Sequence, residues 1–270
     1  MLSVEWGEGV RDVARDEWNR LVGDESPFLE WDWLASLEDA GVVGAERGWL
    51  PRPLLAREAG RLIAACPVYV KAHSEGEFVF DFAWAEAAAR AGIRYYPKLL
   101  VGVPFTPVTG ARFLIARGVE RAALIARLGG ALREACVGGD LSGVHVNFCR
   151  EDEVAALAGS AGGVIGARAA GAGAHAVDAR FPRADADGYL LRIGFQYHWR
   201  NAGYRSFADY LARFRSKRRN QIQRERRALE REGIAVEVLT GDRIGDELFE
   251  PMFACYLATI ENRYWGRQYL

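Results

Sequence analysis

Lysine is scarce in this chain of 270 residues: of 35 basic side chains only Lys71, Lys98 and Lys217 are lysines, and the other 32 are arginines. With abundant alanine and glycine, that bias reads as GC-rich coding and carries no functional message. Cysteine is sparse as well. Cys66, Cys136, Cys149 and Cys255 share no CxxC spacing, so no zinc or thioredoxin-type motif is expected, only small free thiols in a reducing compartment. No uncharged apolar stretch reaches the length of a membrane span, and the first residues are acidic where a signal peptide is basic, so a cytoplasmic location with no membrane span is expected. HExxH, GxSxG, GxxxxGKS/T and GxGxxG are all missing, which leaves metalloprotease, hydrolase-elbow, NTPase and dinucleotide readings without their motifs, and no metal site is expected. The Q/RxxGxG/A pyrophosphate loop of acetyl-CoA enzymes is not cleanly present either.

Half of the residues are hydrophobic and 26% are charged, the balance of an ordinary globular protein. A net charge of -1 removes any global pull toward nucleic acid or anionic lipid, so electrostatic recognition must be local. Periodicity predicts a mixed α/β fold: a strand at Leu2–Trp6, helices at 10–21 and 31–40, and a hairpin of PLLARE and LIAACPVYVKAH about Ala59–Gly60. A third strand, EFVFDF at 77–82, extends that meander. An Ala-rich helix at 85–91 precedes RYYPKLLVGVPFTPVTGARFLIA, where three prolines favour strand, loop and strand. A helix at 120–136, a strand at 143–149 and a helix at 151–159 complete an N-terminal domain over 1–175, with a Gly/Ala-rich link reaching Gly173. The boundary is expected between 165 and 190. A second domain, 185–270, is read as one long helix from Phe207 to Glu232 with a Ser206–Asp209 capping box, a strand at 234–239 and a helix at 247–262.

Three segments crowd polar chemistry. On the long helix Phe207, Tyr210, Leu211, Phe214, Ile222 and Leu229 form an apolar stripe, while nine basic residues between 213 and 231 face only Glu225 and Glu230, an excess of +7. The run suits a solvated face or a phosphate-bearing ligand, with Lys217, Arg218 and Arg219 as the phosphate contacts. Upstream, Gln196, His198, Trp199, Asn201 and Tyr204 alternate hydrogen-bonding groups with aromatic surface; His198 is either a satisfied structural histidine or a base. In the first domain Lys71, His73, Ser74, Glu77 and Asp81 gather around a turn, as a solvated hairpin or a pocket wall, and Tyr96, Lys98, Thr106 and Arg112 flank a proline-stiffened loop.

Five blocks, GWLPRPLLA, VYVKAHSEGEFVFDFAWA, YYPKLLVGVPFTPVTGAR, FQYHWRNAGYRSFADYLARFRSKRRNQIQRERR and YWGRQYL, resemble the bacterial FemAB-like proteins of the GNAT superfamily, nearly end to end. The resemblance implies two GNAT-like domains sharing a cleft, the second incomplete because the chain stops where relatives continue. It implies transfer of an acyl or aminoacyl group to a small-molecule or peptide amine, in relatives that build peptidoglycan cross-bridges. The matched blocks contain the residues above together with Trp84; the resemblance assigns none of them a catalytic role.

For aminolysis of an activated ester or thioester, His198 or Asp81 is expected as base or relay, Gln196 and Asn201 as orienting groups, and Arg218 with Arg219 on phosphate. No tightly bound cofactor is expected; acyl-CoA or aminoacyl-tRNA is the co-substrate. Two other readings stand beside this: a non-catalytic module that binds RNA or a cell-wall precursor through the basic helix, and a remnant of a truncated gene with half a sheet exposed.

Overall fold

The computed structural model describes residues 1–159, 188–263, 266, 268 and 269. The architecture is mixed α/β, with two four-stranded sheets and eight α-helices among the described residues. The chain divides into two units, Met1–Gly194 with Tyr269–Leu270, and Phe195–Gln268. The Gly/Ala-rich link to Gly173 falls largely outside the described residues, as does most of the expected boundary zone.

In the first unit, β1 (Leu2–Trp6) pairs antiparallel with β3 (Leu54–Glu58), and β3 with β4 (Arg61–Cys66). The β3–β4 turn is the expected one. Ala59 and Gly60 both have positive φ, 48° and 79°, the backbone twist that a two-residue hairpin needs. β7 (Leu114–Ile115) closes this first sheet on β4. The second sheet runs β2 (Trp49–Pro51), β5 (Val68–Lys71), β6 (Lys98–Val101) and β8 (Val144–Val146), antiparallel except for the parallel β6–β8 pair.

LIAACPVYVKAH is therefore two strands in two sheets. The change comes at Pro67, which has no N–H to continue a ladder and whose carbonyl instead accepts from Gly102 N at 3.1 Å. Helices α1 (Arg15–Val22) and α2 (Trp31–Asp39) bury Trp18, Leu21 and Leu34 in the main core, and the Trp18 indole donates to Leu29 O at 2.8 Å. The helix expected from residue 10 begins at 15, because Val13 and Ala14 are extended and Val10–Asp12 makes a single 3-10 turn.

EFVFDF is not a strand. Phe78 and Phe80 take positive φ, 57° and 51°, a conformation no strand accommodates, and α3 (Phe82–Arg90) starts within the run. The alternation turns Glu77 and Asp81 inward while Phe80 stays exposed. Helices α4 (Arg121–Gly138), capped by the Glu120 carboxylate on Ala122 N and Ala123 N, and α5 (Glu151–Gly159) are the remaining helices of the first unit among the described residues.

The second unit holds α6 (Phe207–Ala212), α7 (Ser216–Arg231) and α8 (Phe249–Glu261). The expected single helix is broken at Arg213–Arg215: the last turn of α6 tightens onto Tyr210 O and Leu211 O, and Arg215 is extended. Phe214 packs on Tyr210 (5.1 Å between ring centres), and the break takes Arg213 out of the helical register that would set the like-charged Lys217 four residues on. Ser206 Oγ caps α6 through Asp209 N at 3.1 Å, but the reciprocal arm of the box goes to Arg205 N. Residues 234–239 form no strand. No strand of this unit is present among the described residues to pair with them, and Val236 and Val238 lie exposed.

Candidate active site

Period-two alternation gives the second sheet two different faces. Val68, Leu99 and Val101 point into the main core, whereas Trp49, Lys71, Lys98, His145 and Asn147 share the other face. Trp49 is the cross-strand partner of Lys71, and Lys71 of Lys98, so one row crosses β2, β5 and β6. The 74–81 segment closes over it. Gly76 is required there: its φ is +76°, and a Cβ would meet the Phe105 ring at 2.8 Å and Trp49 at 3.1 Å.

Lys98 is fully buried, and its ammonium is the centre of the cluster. It donates to Asp81 Oδ2 at 2.9 Å and Ser74 Oγ at 2.8 Å, and it pairs with Glu77 Oε2 at 3.0 Å. His145 Nδ1 lies 3.4 Å away, beside the three partners of the ammonium. Tyr95 OH donates to Asp81 Oδ2 at 2.7 Å, Tyr96 OH shares a hydrogen bond with Ser74 Oγ at 2.8 Å, and Asn147 Nδ2 reaches Glu77 Oε2 at 3.5 Å. The Lys71 ammonium stacks 3.6 Å over the Trp49 ring and donates to Glu75 O at 3.3 Å.

These surroundings shift the ionisations apart. Burial opposes charge on Asp81, but hydrogen bonds from Ser74, Lys98 and Tyr95 outweigh it and hold the carboxyl at about 2. Glu77 goes the other way: burial raises it despite Lys98. Burial lowers Lys71 to about 7, with Lys98 adding to the effect, and lowers His145 to about 4, so the imidazole is neutral near pH 7. Tyr95 is raised, first by burial and then by its bond to Asp81. A base, an acid and a hydrogen-bond donor with separated ionisations stand within one network, the arrangement that acid–base chemistry uses.

Glu77, Asp81 and His145 have the mutual spacing of metal ligands, all within 4.8 Å. Lys98 Nζ sits among them, however, and supplies the positive charge.

Of the sequence-predicted residues, the structure brings together Lys71, Ser74, Glu77, Asp81, Tyr96 and Lys98. His73 is at the edge, accepting from Glu75 N at Nδ1 and contacting Arg47 O through Nε2 at 2.9 Å. Thr106 bonds within its own loop to Pro104 O. Arg112 is buried and spends its guanidinium on the carbonyls of Asn147, Ala111 and Val108, pinning the proline loop to β8, while Glu153 accepts from the Arg112 and Phe113 amides.

Gln196, His198, Trp199, Asn201, Tyr204, Lys217, Arg218 and Arg219 belong to the second unit. His198 is exposed. Asn201 Oδ1 accepts from Gly203 N and Tyr204 N, a local turn. Trp199, Tyr204, Phe207 and Phe214 all ring Tyr210 within 6.4 Å. Arg218, expected on phosphate, is exposed and donates to Gln221 Oε1 at 3.0 Å. Sequence reasoning missed Trp49, Tyr95, His145 and Asn147. For the last two the signal was there, since VHVNFC places two polar residues on one face of a short strand.

A family model described as peptidoglycan biosynthesis/recognition matches residues 9–270. No curated protein and no solved structure matches the chain.

Proposed function

The chain belongs to the FemAB-like family of peptidoglycan biosynthesis and recognition, and from that premise we propose that it transfers an acyl or aminoacyl group from an activated donor to an amine, with a peptidoglycan precursor or other peptide amine as acceptor. The observation that carries this reading is the buried Lys98–Asp81–Ser74–Tyr96 network with Glu77 and the neutral His145 at its side.

Aminolysis needs a proton acceptor for the amine and a donor for the oxygen that gains charge at the acyl carbon. The network offers both kinds of group without a covalent enzyme intermediate. Glu77 and Lys71 are the groups moved toward neutrality, and the neutral His145 ring carries one N–H donor. Asp81 stays ionised and fixes Lys98 and Tyr95. The exposed arginines of α7 support a donor that carries phosphate, either acyl-CoA or aminoacyl-tRNA. A GNAT-type fold for the two units is part of the same proposal.

The test is a transfer assay with radiolabelled acetyl-CoA and with charged tRNA, against amine-bearing muropeptides. Label reaching the amine, and lost in Asp81→Asn, supports the reading; binding of RNA or muropeptide without any label transfer would replace it with a recognition role.

A further inference from the structure

Each of the two buried carboxylates in the cluster uses one oxygen fully and leaves the other without a partner. Glu77 Oε2 receives Lys98 and Asn147, and Asp81 Oδ2 receives Lys98 and Tyr95, with the Ser74 hydroxyl also stabilising the Asp81 carboxylate. Glu77 Oε1 and Asp81 Oδ1, both enclosed, meet no hydrogen-bond donor. An orphaned buried acceptor costs about 1–3 kcal/mol, more when charged. Lys98, Ser74, Tyr95 and Asn147 already have their bonds inside the cluster, and the Lys71 ammonium is turned onto Trp49 and Glu75 O.

We propose that Glu77 Oε1 and Asp81 Oδ1 form the subsite for the primary ammonium of the acceptor, and that Glu77 is the catalytic base that removes its proton. The proposal rests on the acyl-transfer reading above and deepens it.

Charge and donor count select this ligand. Around the two carboxylates stand Lys98, Lys71, His145, Tyr95 and Tyr96, with Glu75 beyond Lys71. At neutral pH His145 is uncharged and Lys71 is near its midpoint, while the Arg192 guanidinium at the edge of the cluster is tied to Val79 O at 2.8 Å, so the donors nearest the two carboxylates are already spent. A primary ammonium brings one charge and three N–H donors, enough for both orphaned oxygens. A hydroxyl brings one donor and no charge, and a divalent ion would face the Lys98 ammonium with twice the charge of an ammonium and no N–H to donate. His145, Tyr95 and Tyr96 are the half-buried members of the cluster and mark its approach to solvent. Asp81, held at about 2, is too weak a base, which leaves the burial-raised Glu77 to take the proton.

The step balances. One proton passes from the ammonium to Glu77, and the nitrogen lone pair forms the C–N bond with the acyl carbon. The C–O or C–S bond to the donor breaks, a second nitrogen proton goes to the departing oxygen or sulfur, and Glu77 returns its proton to solvent.

Binding is measured without any donor, by NMR titration of the full chain at pH 7.5 with n-butylammonium, tetramethylammonium and n-butanol. Butylammonium should bind more tightly than the other two by roughly tenfold or more, the effect of a charged hydrogen bond. Glu77→Gln should lose that preference and Glu77→Asp keep it; if Glu77→Gln does not fold, the three-ligand comparison on the unaltered chain decides. Equal binding of butylammonium and tetramethylammonium overturns the subsite. Transfer activity that survives in Glu77→Gln overturns the base while leaving acyl transfer standing. Selective butylammonium binding in a chain that transfers no label keeps the subsite and overturns the transfer reading instead.

Discussion

Lys71 and Lys98 are direct cross-strand partners on one face of the second sheet, and their ammonium groups are sent in opposite directions: Lys98 into two carboxylates, Lys71 over the Trp49 ring. Like charges placed opposite each other destabilise a sheet, and here burial first, with Lys98 adding to it, lowers the charge on Lys71. Lys71, at about 7 in the folded chain, is well below its ordinary range.

Between about pH 7 and 10 the unfolded chain therefore holds a proton on Lys71 that the folded chain has lost, so this lysine makes stability rise with pH across that window. Lys71→Met should flatten the rise by up to ~1.4 kcal/mol per pH unit, the most that one proton contributes. Urea unfolding at pH 7, 8, 9 and 10 on both proteins measures it, and an unchanged slope would remove Lys71 from the account.

Lys98→Met should be far more harmful. It leaves Glu77 and Asp81 buried beside one another with only the partly charged Lys71 near them, a loss of about 3–5 kcal/mol for breaking a buried pair. Lys98→Arg should not restore it, because the site encloses a compact ammonium held by Ser74, Glu77 and Asp81 and has no place for a planar fork. Chemical denaturation midpoints of both variants are the readout.

His145 titrates near 4 in the folded chain, against an ordinary value near 6.5, so the unfolded chain binds more protons in that interval and stability falls as pH drops through it. His145→Gln should lessen acid destabilisation between pH 6.5 and 4. In imidazole NMR spectra the His145 ring should stay neutral at pH 5.5, where an exposed histidine is mostly charged.

Gly76→Ala tests the loop that closes the cluster. With φ at +76° and the Phe105 ring 2.8 Å from the added methyl, the variant should lose roughly 1–3 kcal/mol from backbone strain. Because the same loop carries Glu77 and Asp81, transfer activity should fall further than stability does.

Much of the first unit was legible because its elements are announced locally. Ala59–Gly60 forms the expected turn, and Pro104 and Pro107 do separate β6 from β7 across the 102–113 loop, with Pro97 just ahead of β6. EFVFDF misled because alternation alone does not distinguish a strand from a loop whose Phe78 and Phe80 adopt left-handed backbone; both send Glu77 and Asp81 to one side. Residues 234–239 have the alternation of a strand, but pairing is a non-local property. At the site, crowding of ionisable groups pointed to Lys71, Ser74, Glu77, Asp81 and Lys98. That Lys98 organises the others follows only from the β5–β6 register, which no spacing in the chain announces.

The scarcity of lysine acquires a practical meaning once two of the three are buried. Of the three lysines only Lys217 remains accessible to reagents that acylate amines, so mild labelling or resin coupling of lysine should attach the chain through the start of α7. Any labelling of Lys71 or Lys98 then becomes a direct count of how often the 74–81 loop opens.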